Sequence, residues 1–153
     1  MASRMKILFL CTGNSCRSQM AEGWARALKG DVIDAYSAGI ELHGLNPMAV
    51  KVMAEIGVDI SGQKSKTVAA VADVAFNYVV TLCGHANETC PMWLSGKAKV
   101  VHVGFDDPPS LARELASRGA SAEEQRDAYR RVRDEIRAFV ETLPESLLVR
   151  SGR

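Results

Sequence analysis

The chain has 153 residues, of which 47% are apolar and 24% charged, a balance that supports a folded core and excludes intrinsic disorder. A formal net charge of +1 supplies no overall field for nucleic acid or an anionic membrane, so attraction for any anion has to be local. Four cysteines are too few and too unevenly spaced for a secreted disulfide framework. The N-terminal stretch MASRMKILFLC has basic residues ahead of an apolar run, yet that run is shorter than the roughly 7 to 15 residues of a signal core, and no membrane-length segment follows. One domain over residues 1–153 in the reducing cytoplasm is expected, with no membrane and no nucleic acid as partner.

The elements alternate along the chain. KILFL is a continuous apolar run, the pattern of a strand covered on both faces in a parallel sheet. A helix is predicted from Ser15, with Met20, Ala21, Trp24, Ala25 and Leu28 on one face and Gly30 as terminator. Val32 to Gly39 reads as a second strand, and NPMAVKVMAEIG as a second helix with Asn46 as N-cap, Pro47 at its first position and Gly57 past its end. A short helix over Ser65 to Ala72, a third strand over Tyr78 to Leu82 and a fourth over Lys99 to Val103 follow. The last long helix opens on a capping box from Ser121 to Glu124 and turns Ala128, Val132, Ile136, Phe139 and Val140 inward, its arginines forming a solvated face. This is a single-domain α/β three-layer sandwich around a central four-stranded parallel sheet. Ligands of such sheets sit beyond the carboxyl ends of the strands, where Cys11, Ser37, Cys83 and Asp107 fall.

The stretch CTGNSCRS, from Cys11 to Ser18, holds the parts a tetrahedral oxyanion needs. The loop of Thr12, Gly13, Asn14, Ser15 and Cys16 can curl so that its amides converge, and the helix behind it adds a positive end. Arg17 offers a planar fork to two oxygens. The same field predicts a lowered pKa for Cys11, making it a nucleophile at neutral pH. Ser18 can donate to the Cys11 sulfur, and Asn14 can brace the loop. Cys16 reads as packing. In GFDDPP, Asp107 precedes Pro108 and is therefore biased to extended geometry, held where its carboxyl can protonate a departing oxygen; Asp106 is the substitute. Cys83 and Cys90, seven residues apart, fit a zinc site poorly because close C-x2-4-C pairs are lacking and Arg17 repels a cation.

CTGNSCRSQMAEGW together with SAGIE and DDP resembles the low-molecular-weight protein tyrosine phosphatase superfamily, and within it the thioredoxin-coupled arsenate reductases. The likeness runs from MKILFL to RVRDEI. It implies a Cys11 nucleophile, Arg17 in the loop and Asp107 as general acid, with Cys83 and Cys90 as resolving thiols that a simple phosphatase does not carry. The implied reaction is reduction of arsenate: Cys11 is attacked by Cys83, Cys90 resolves the disulfide, and thioredoxin reduces it. A phosphatase with vestigial thiols is the alternative, and a non-catalytic anion-binding domain a third. ELHGLNP and DPPSLAR, where phosphotyrosine enzymes place aromatics, offer none.

If residues 83 to 90 were helical, their Cα atoms would stand roughly 10 Å apart, too far for a disulfide, so the segment 83–91 is expected to change structure on oxidation. The resemblance also implies a potassium site at Asn14, Glu22 and Ser37, but its remaining positions are Lys64 and Lys66, so an ammonium is expected in the cation's place. No metal or other cofactor is expected, and the chain is expected to act as a monomer. His43, His85 and His102 read as surface or hydrogen-bonded residues, with His85 placed to tune the neighbouring thiols.

Overall fold

A computed structural model describes residues 4–90 and 98–151. Strand β1 (Met5–Cys11) leads into helix α1 (Arg17–Lys29), then β2 (Ile33–Gly39) and α2 (Pro47–Ala54). A 3-10 turn (Val68–Val71), β3 (Tyr78–Thr81), the short α3 (Gly84–Glu88) and β4 (Lys99–His102) follow. The chain closes with α4 (Pro108–Ser117), α5 (Ala122–Glu141) and α6 (Glu145–Ser151). All strand pairs are parallel, in the order β2-β1-β3-β4, with Cys11 in register with Gly39 at the carboxyl end. The chain leaves β1 toward β2 on one side and later returns to β3 on the other. That reversal opens a crevice above Cys11.

Alternation along β1 divides the core. Ile7 and Phe9 pack with Met20 and Trp24 of α1, Val52 of α2 and Val132, Ile136 and Val140 of α5. Leu8 and Leu10 face the opposite layer, with Val71, Phe76 and Ala86. Period-two alternation in a strand covered on both sides gives this division. Among the described residues, that opposite layer is made of the 3-10 turn and α3.

Several elements differ from expectation for identifiable reasons. Helix α1 begins at Arg17 rather than Ser15, because residues 12–16 are spent on the loop and Cys16 caps without a side-chain hydrogen bond. The helix expected over residues 65–72 shrinks to Val68–Val71, since Thr67 bridges to Gly39 and the Lys66 carbonyl accepts the Gly39 amide at 2.8 Å. Asp107 is not on a free loop: it is the N-cap of α4, with Pro108 at the first helical position. The capping box at Ser121 and Glu124 is present. One arginine of α5 leaves the solvated face. Arg133 is buried, donating to the Val52 carbonyl at 2.9 Å, to Glu55 at 3.2 Å and to Asp134 at 2.8 Å, while its own carbonyl accepts the Trp24 indole at 3.0 Å. The expected switch segment 83–91 is described through Cys90; Pro91 lies outside the described residues.

Candidate active site

The loop between β1 and α1 is held from outside by its carbonyls. Cys11 O accepts from Ile40 N–H at 3.1 Å, Thr12 O from Glu41 N–H at 2.7 Å, Gly13 O from His43 N–H at 3.0 Å, and Ser15 O from Asn46 N–H at 3.0 Å. The Ser65 hydroxyl adds a bond to Gly13 O at 3.1 Å. Since C=O and N–H point oppositely across a trans peptide, this pattern turns the amides toward the hollow. Gly39 is required at the end of β2: a Cβ there would lie 2.7 Å from the Asn14 nitrogen and 2.6 Å from the Glu41 oxygen, both backbone atoms.

Asn14 takes a left-handed conformation, φ 48°, which asparagine tolerates better than most residues. Its side chain is fully buried and bonded at both ends. Oδ1 accepts from Lys66 N–H at 2.8 Å and Gln19 Nε2 at 3.1 Å, and Nδ2 donates to Ser18 Oγ at 2.9 Å. Gln19 Nε2 also reaches the Asn14 carbonyl at 3.0 Å and the Lys64 carbonyl at 3.1 Å, and Gln63 Nε2 donates to Gln19 Oε1 at 2.8 Å. This amide cluster fixes the curl. Beneath it, the buried Glu22 carboxylate accepts from Ser37 Oγ at 2.6 Å and pairs with Arg26 at 2.8 Å and with the Lys66 ammonium at 3.8 Å. Burial lowers the Lys66 pKa, Glu22 partly offsets this, and Arg26 adds to it. Lys64 contributes its carbonyl, which also accepts from Lys66 Nζ at 3.1 Å. A cationic group of the chain itself thus sits beside Glu22.

The hollow above is a pocket of about 430 Å³ lined by Cys11, Thr12, Gly13, Ser15, Cys16 and Arg17, with Asp107 at its wall and His43, Asn46, Pro109 and Arg113 around its mouth. A larger groove of about 540 Å³ between Arg26 and Gly57–Gln63 contains no thiol, so the chemistry belongs to the smaller one. Arg17 donates through Nη1 to the Phe105 carbonyl at 2.8 Å and faces Asp107 through Nη2 at 3.5 Å. Its buried Nε has no partner among the described residues. A buried unsatisfied guanidinium N–H is costly, and an oxyanion would satisfy it. Asp107 Oδ2 accepts from Ser110 Oγ at 2.7 Å, itself a target of Arg113 at 3.1 Å. Asp106 points away to Arg131 at 3.1 Å, which leaves Asp107 as the carboxyl at the pocket.

The sulfurs of Cys11 and Cys83 stand 4.0 Å apart, with Cys11 donating. Cys83 is the N-cap of α3 and also accepts the Ala86 amide at 3.4 Å, with the Thr12 hydroxyl at 3.2 Å. The Cys11 donor first, then Thr12, Ala86 and the Arg17 charge, pull the Cys83 pKa down to about 4 against its partial burial. Cys11 is pushed up, first by donating to Cys83 and then by burial, against the pull of Arg17 and the Thr12 amide. One negative charge is therefore shared across the Cys11–Cys83 contact, with the Thr12 hydroxyl and the Ala86 amide beside Cys83 and Arg17 favouring charge at the loop. Burial, then the Asp107 charge, raises Cys16 to about 12, in keeping with a packing role. Cys90 is half-buried against the same layer as Cys83, and burial raises it.

Cys11, Thr12, Gly13, Ser15, Cys16, Arg17 and Asp107 therefore share one pocket, and Cys83 reaches it through Cys11 and Thr12. Asn14 and Ser18 brace it from behind. Ser18 Oγ accepts from Asn14, which leaves its own proton for another acceptor. His43, Asn46 and Arg113 were not singled out as site residues from sequence. Their signal was position alone, just past the end of β2 and one turn beyond the DPP corner. No group of three or more potential metal ligands clusters among the described residues, and no described helix is long and apolar enough to cross a membrane.

A cysteine and an arginine framing an amide-lined hollow at the switch point of a parallel sheet define an enzyme that handles tetrahedral oxyanions through a thiol. The chain belongs to the low molecular weight phosphotyrosine protein phosphatase family, whose model matches residues 6–150. Its relatives include arsenate reductases of Halalkalibacterium halodurans, 53% identical over 140 residues with 92% of this chain and 95% of that one covered, and of Bacillus subtilis strain 168, 51% identical over 141 residues with 89% and 95% covered. Among solved structures, an arsenate reductase in the phosphate-binding state superposes with a TM-score of 0.71 at 35% identity, covering 91% of this chain and 95% of that one.

Proposed function

We propose that this protein reduces arsenate to arsenite by passing oxidation through three thiols, Cys11, Cys83 and Cys90, with thioredoxin as the final reductant. The observation that carries the reading is the 4.0 Å approach of the Cys11 and Cys83 sulfurs across the oxyanion loop. A hydrolytic phosphatase has no use for it. The pocket mouth, lined among the described residues by His43, Asn46, Pro109 and Arg113 with no Phe, Tyr or Trp, also suits a small inorganic anion better than phosphotyrosine.

Arsenate takes the loop amides and the free Nε–H of Arg17. Cys11 passes its proton to Cys83 as its sulfur attacks arsenic, and Asp107 protonates the oxygen that leaves as water. A sulfur–arsenic bond forms with arsenic still at oxidation state +V. Cys83 releases its proton to solvent and attacks the Cys11 sulfur. The sulfur–arsenic bond breaks with its electron pair moving to arsenic, so arsenite departs and a Cys11–Cys83 disulfide remains. The sulfurs need to close from 4.0 Å to about 2.05 Å. Cys90 then attacks Cys83, expelling Cys11 as a thiolate to which Ser18 donates, and a dithiol protein reduces the Cys83–Cys90 bond. Gly84–Glu88 is helical and lies between the two thiols, so residues 83–91 rearrange as that bond forms. The proposed setting is a monomer in the cytoplasm, where dithiol reductants are supplied.

The test measures arsenite release with thioredoxin, thioredoxin reductase and NADPH, alongside para-nitrophenyl phosphate hydrolysis, for the wild type and Cys83→Ser. Reduction is expected in the wild type and lost in the variant. Reduction that survives without Cys83, or hydrolysis without any reduction, would refute the relay.

A further inference from the structure

We propose that His43, held by Glu41, is a substrate-binding residue: as an imidazolium it donates from Nδ1 to the oxyanion in the loop, forming a second cationic contact opposite Arg17. The proposal deepens the oxyanion-reductase reading and rests on it for the identity of the substrate, though not for the presence of an anion.

Three independent constraints fix the ring. Its backbone is tied to the loop by the His43 N–H to Gly13 O bond at 3.0 Å, and the neighbouring Glu41 N–H binds Thr12 O at 2.7 Å. The ring lies directly on the loop at Gly13, where an added Cβ would come within 2.1 Å of Nδ1. Glu41 Oε2 contacts Nε2 at 2.7 Å. A carboxylate only accepts, so Nε2 carries a hydrogen and Nδ1 is the nitrogen turned to the loop.

In the singly protonated ring, Nδ1 carries a lone pair against the loop at Gly13 and would repel an anion held there. With the second proton it becomes a donor, and Glu41 balances the added charge from behind. The charges that meet the ring's side of the pocket come from several elements. Arg17 and Arg113 disfavour the imidazolium, Asp107 favours it, and the Cys11 and Cys16 thiols line the floor. From the segment beside Gly13, Ser65 is turned to the loop carbonyl, and the Lys66 ammonium is directed to Glu22. An incoming anion adds negative charge beside the ring and favours its charged form. Binding of the anion and of the second proton on His43 are therefore linked, and the His43 contribution to affinity is larger at low pH than at high pH.

The experiment titrates inorganic phosphate, as a stable probe anion, into the reduced full-length protein labelled with ¹⁵N-histidine, with His43→Asn used to assign the resonance among His43, His85 and His102. Phosphate is expected to move the His43 Nδ1 resonance toward its protonated position and to raise its titration midpoint, leaving the other two histidines unmoved. His43→Asn is expected to weaken phosphate about 10-fold at about pH 5.5 and less than about 2-fold at about pH 8.5. Glu41→Gln should weaken it less, with the same pH trend. A His43 resonance indifferent to saturating phosphate, or a loss of affinity that is equal at both pH values, would overturn the proposal and leave His43 a packing residue. Because phosphate binding needs no turnover, failure of arsenate reduction and failure of the His43 contact are read separately.

Discussion

Replacing Glu22 by Gln keeps the shape of a fully packed side chain and removes its charge. The Ser37 hydroxyl keeps an acceptor, and Arg26, 60% exposed, turns to water at little cost. Lys66 has no such exit. Its side chain is 27% exposed, and its ammonium lies 3.8 Å from the carboxylate with the Lys64 carbonyl as its other partner. At an effective dielectric near 20 that pair is worth about 4 kcal/mol before desolvation is counted, and partial exposure takes roughly half. The expected loss is about 2 kcal/mol, or about 4 to 8 °C in Tm for a chain of this length. Urea unfolding at neutral pH under reducing conditions reads it, with an unchanged m-value. Lys66→Met in the Glu22→Gln background removes the stranded cation and should recover at least about 1 kcal/mol of the loss. Exchange of sodium for potassium at fixed ionic strength should leave wild-type activity unchanged, since an ammonium already serves Glu22. A Glu22→Gln variant within about 0.5 kcal/mol of wild type, or a cycle with no coupling, would refute the assignment of Lys66 as the internal counter-ion.

The resting thiolate is checked by thiolate ultraviolet absorbance against pH. With Cys83 down to about 4, one thiolate should persist in the wild type from neutral pH to about pH 4 to 5; absorbance lost already in the ordinary thiol range near pH 8.5 would refute the shared charge. In Cys11→Ser, Cys83 keeps its Thr12 and Ala86 donors. With its first donor, Cys11, removed, its folded value should move back toward the ordinary thiol value, so the stability that the wild-type group holds above about pH 8.5 and loses as pH falls toward 4 should shrink in urea unfolding. Gly39→Ala places a methyl within 2.8 Å of three backbone atoms, so it should cost about 1 to 3 kcal/mol and abolish phosphate binding by calorimetry; normal binding would show that the loop is pliable. Asp107→Asn should slow the first step in single turnover while phosphate still binds, and unchanged rates would remove Asp107 from the chemistry.

What was legible in the sequence was what local pattern determines. The buried strand before Cys11, the Asn46–Pro47 helix start and the Ser121 capping box each rest on a few adjacent residues, and each is present. Helix α4 carried a comparable signal, Asp before Pro at the first helical position, but the double proline read as a corner. The helix expected from Ser65 was lost to tertiary demand, because its first residues brace Asn14 and Gly13 across more than fifty positions of sequence. Arg133 lies between Val132 and Ile136 on the buried stripe, and the Val52 carbonyl and Glu55, from α2 and its cap, together with Asp134, make that position tolerable. The placement of the thiolate was beyond sequence for the same reason. Arg17 and the loop amides argued for Cys11 alone; the second thiol that shares its charge arrives from a segment seventy residues away.

The outward bonds of the loop carbonyls have a consequence for selectivity. A cradle fastened at Cys11, Thr12, Gly13 and Ser15 before any anion arrives is a fixed mould, and a fixed mould measures size and tetrahedral shape. Phosphate and arsenate share both, so such a site fills with whichever is more abundant. Discrimination on the proposed reaction must come later, as kinetic sorting. When Cys83 attacks the Cys11 sulfur, the departing centre has to leave with an electron pair. Arsenic(V) accepts it and phosphorus(V) does not, so phosphate waits in the mould and leaves unchanged, as a competitor that slows the enzyme without misdirecting it.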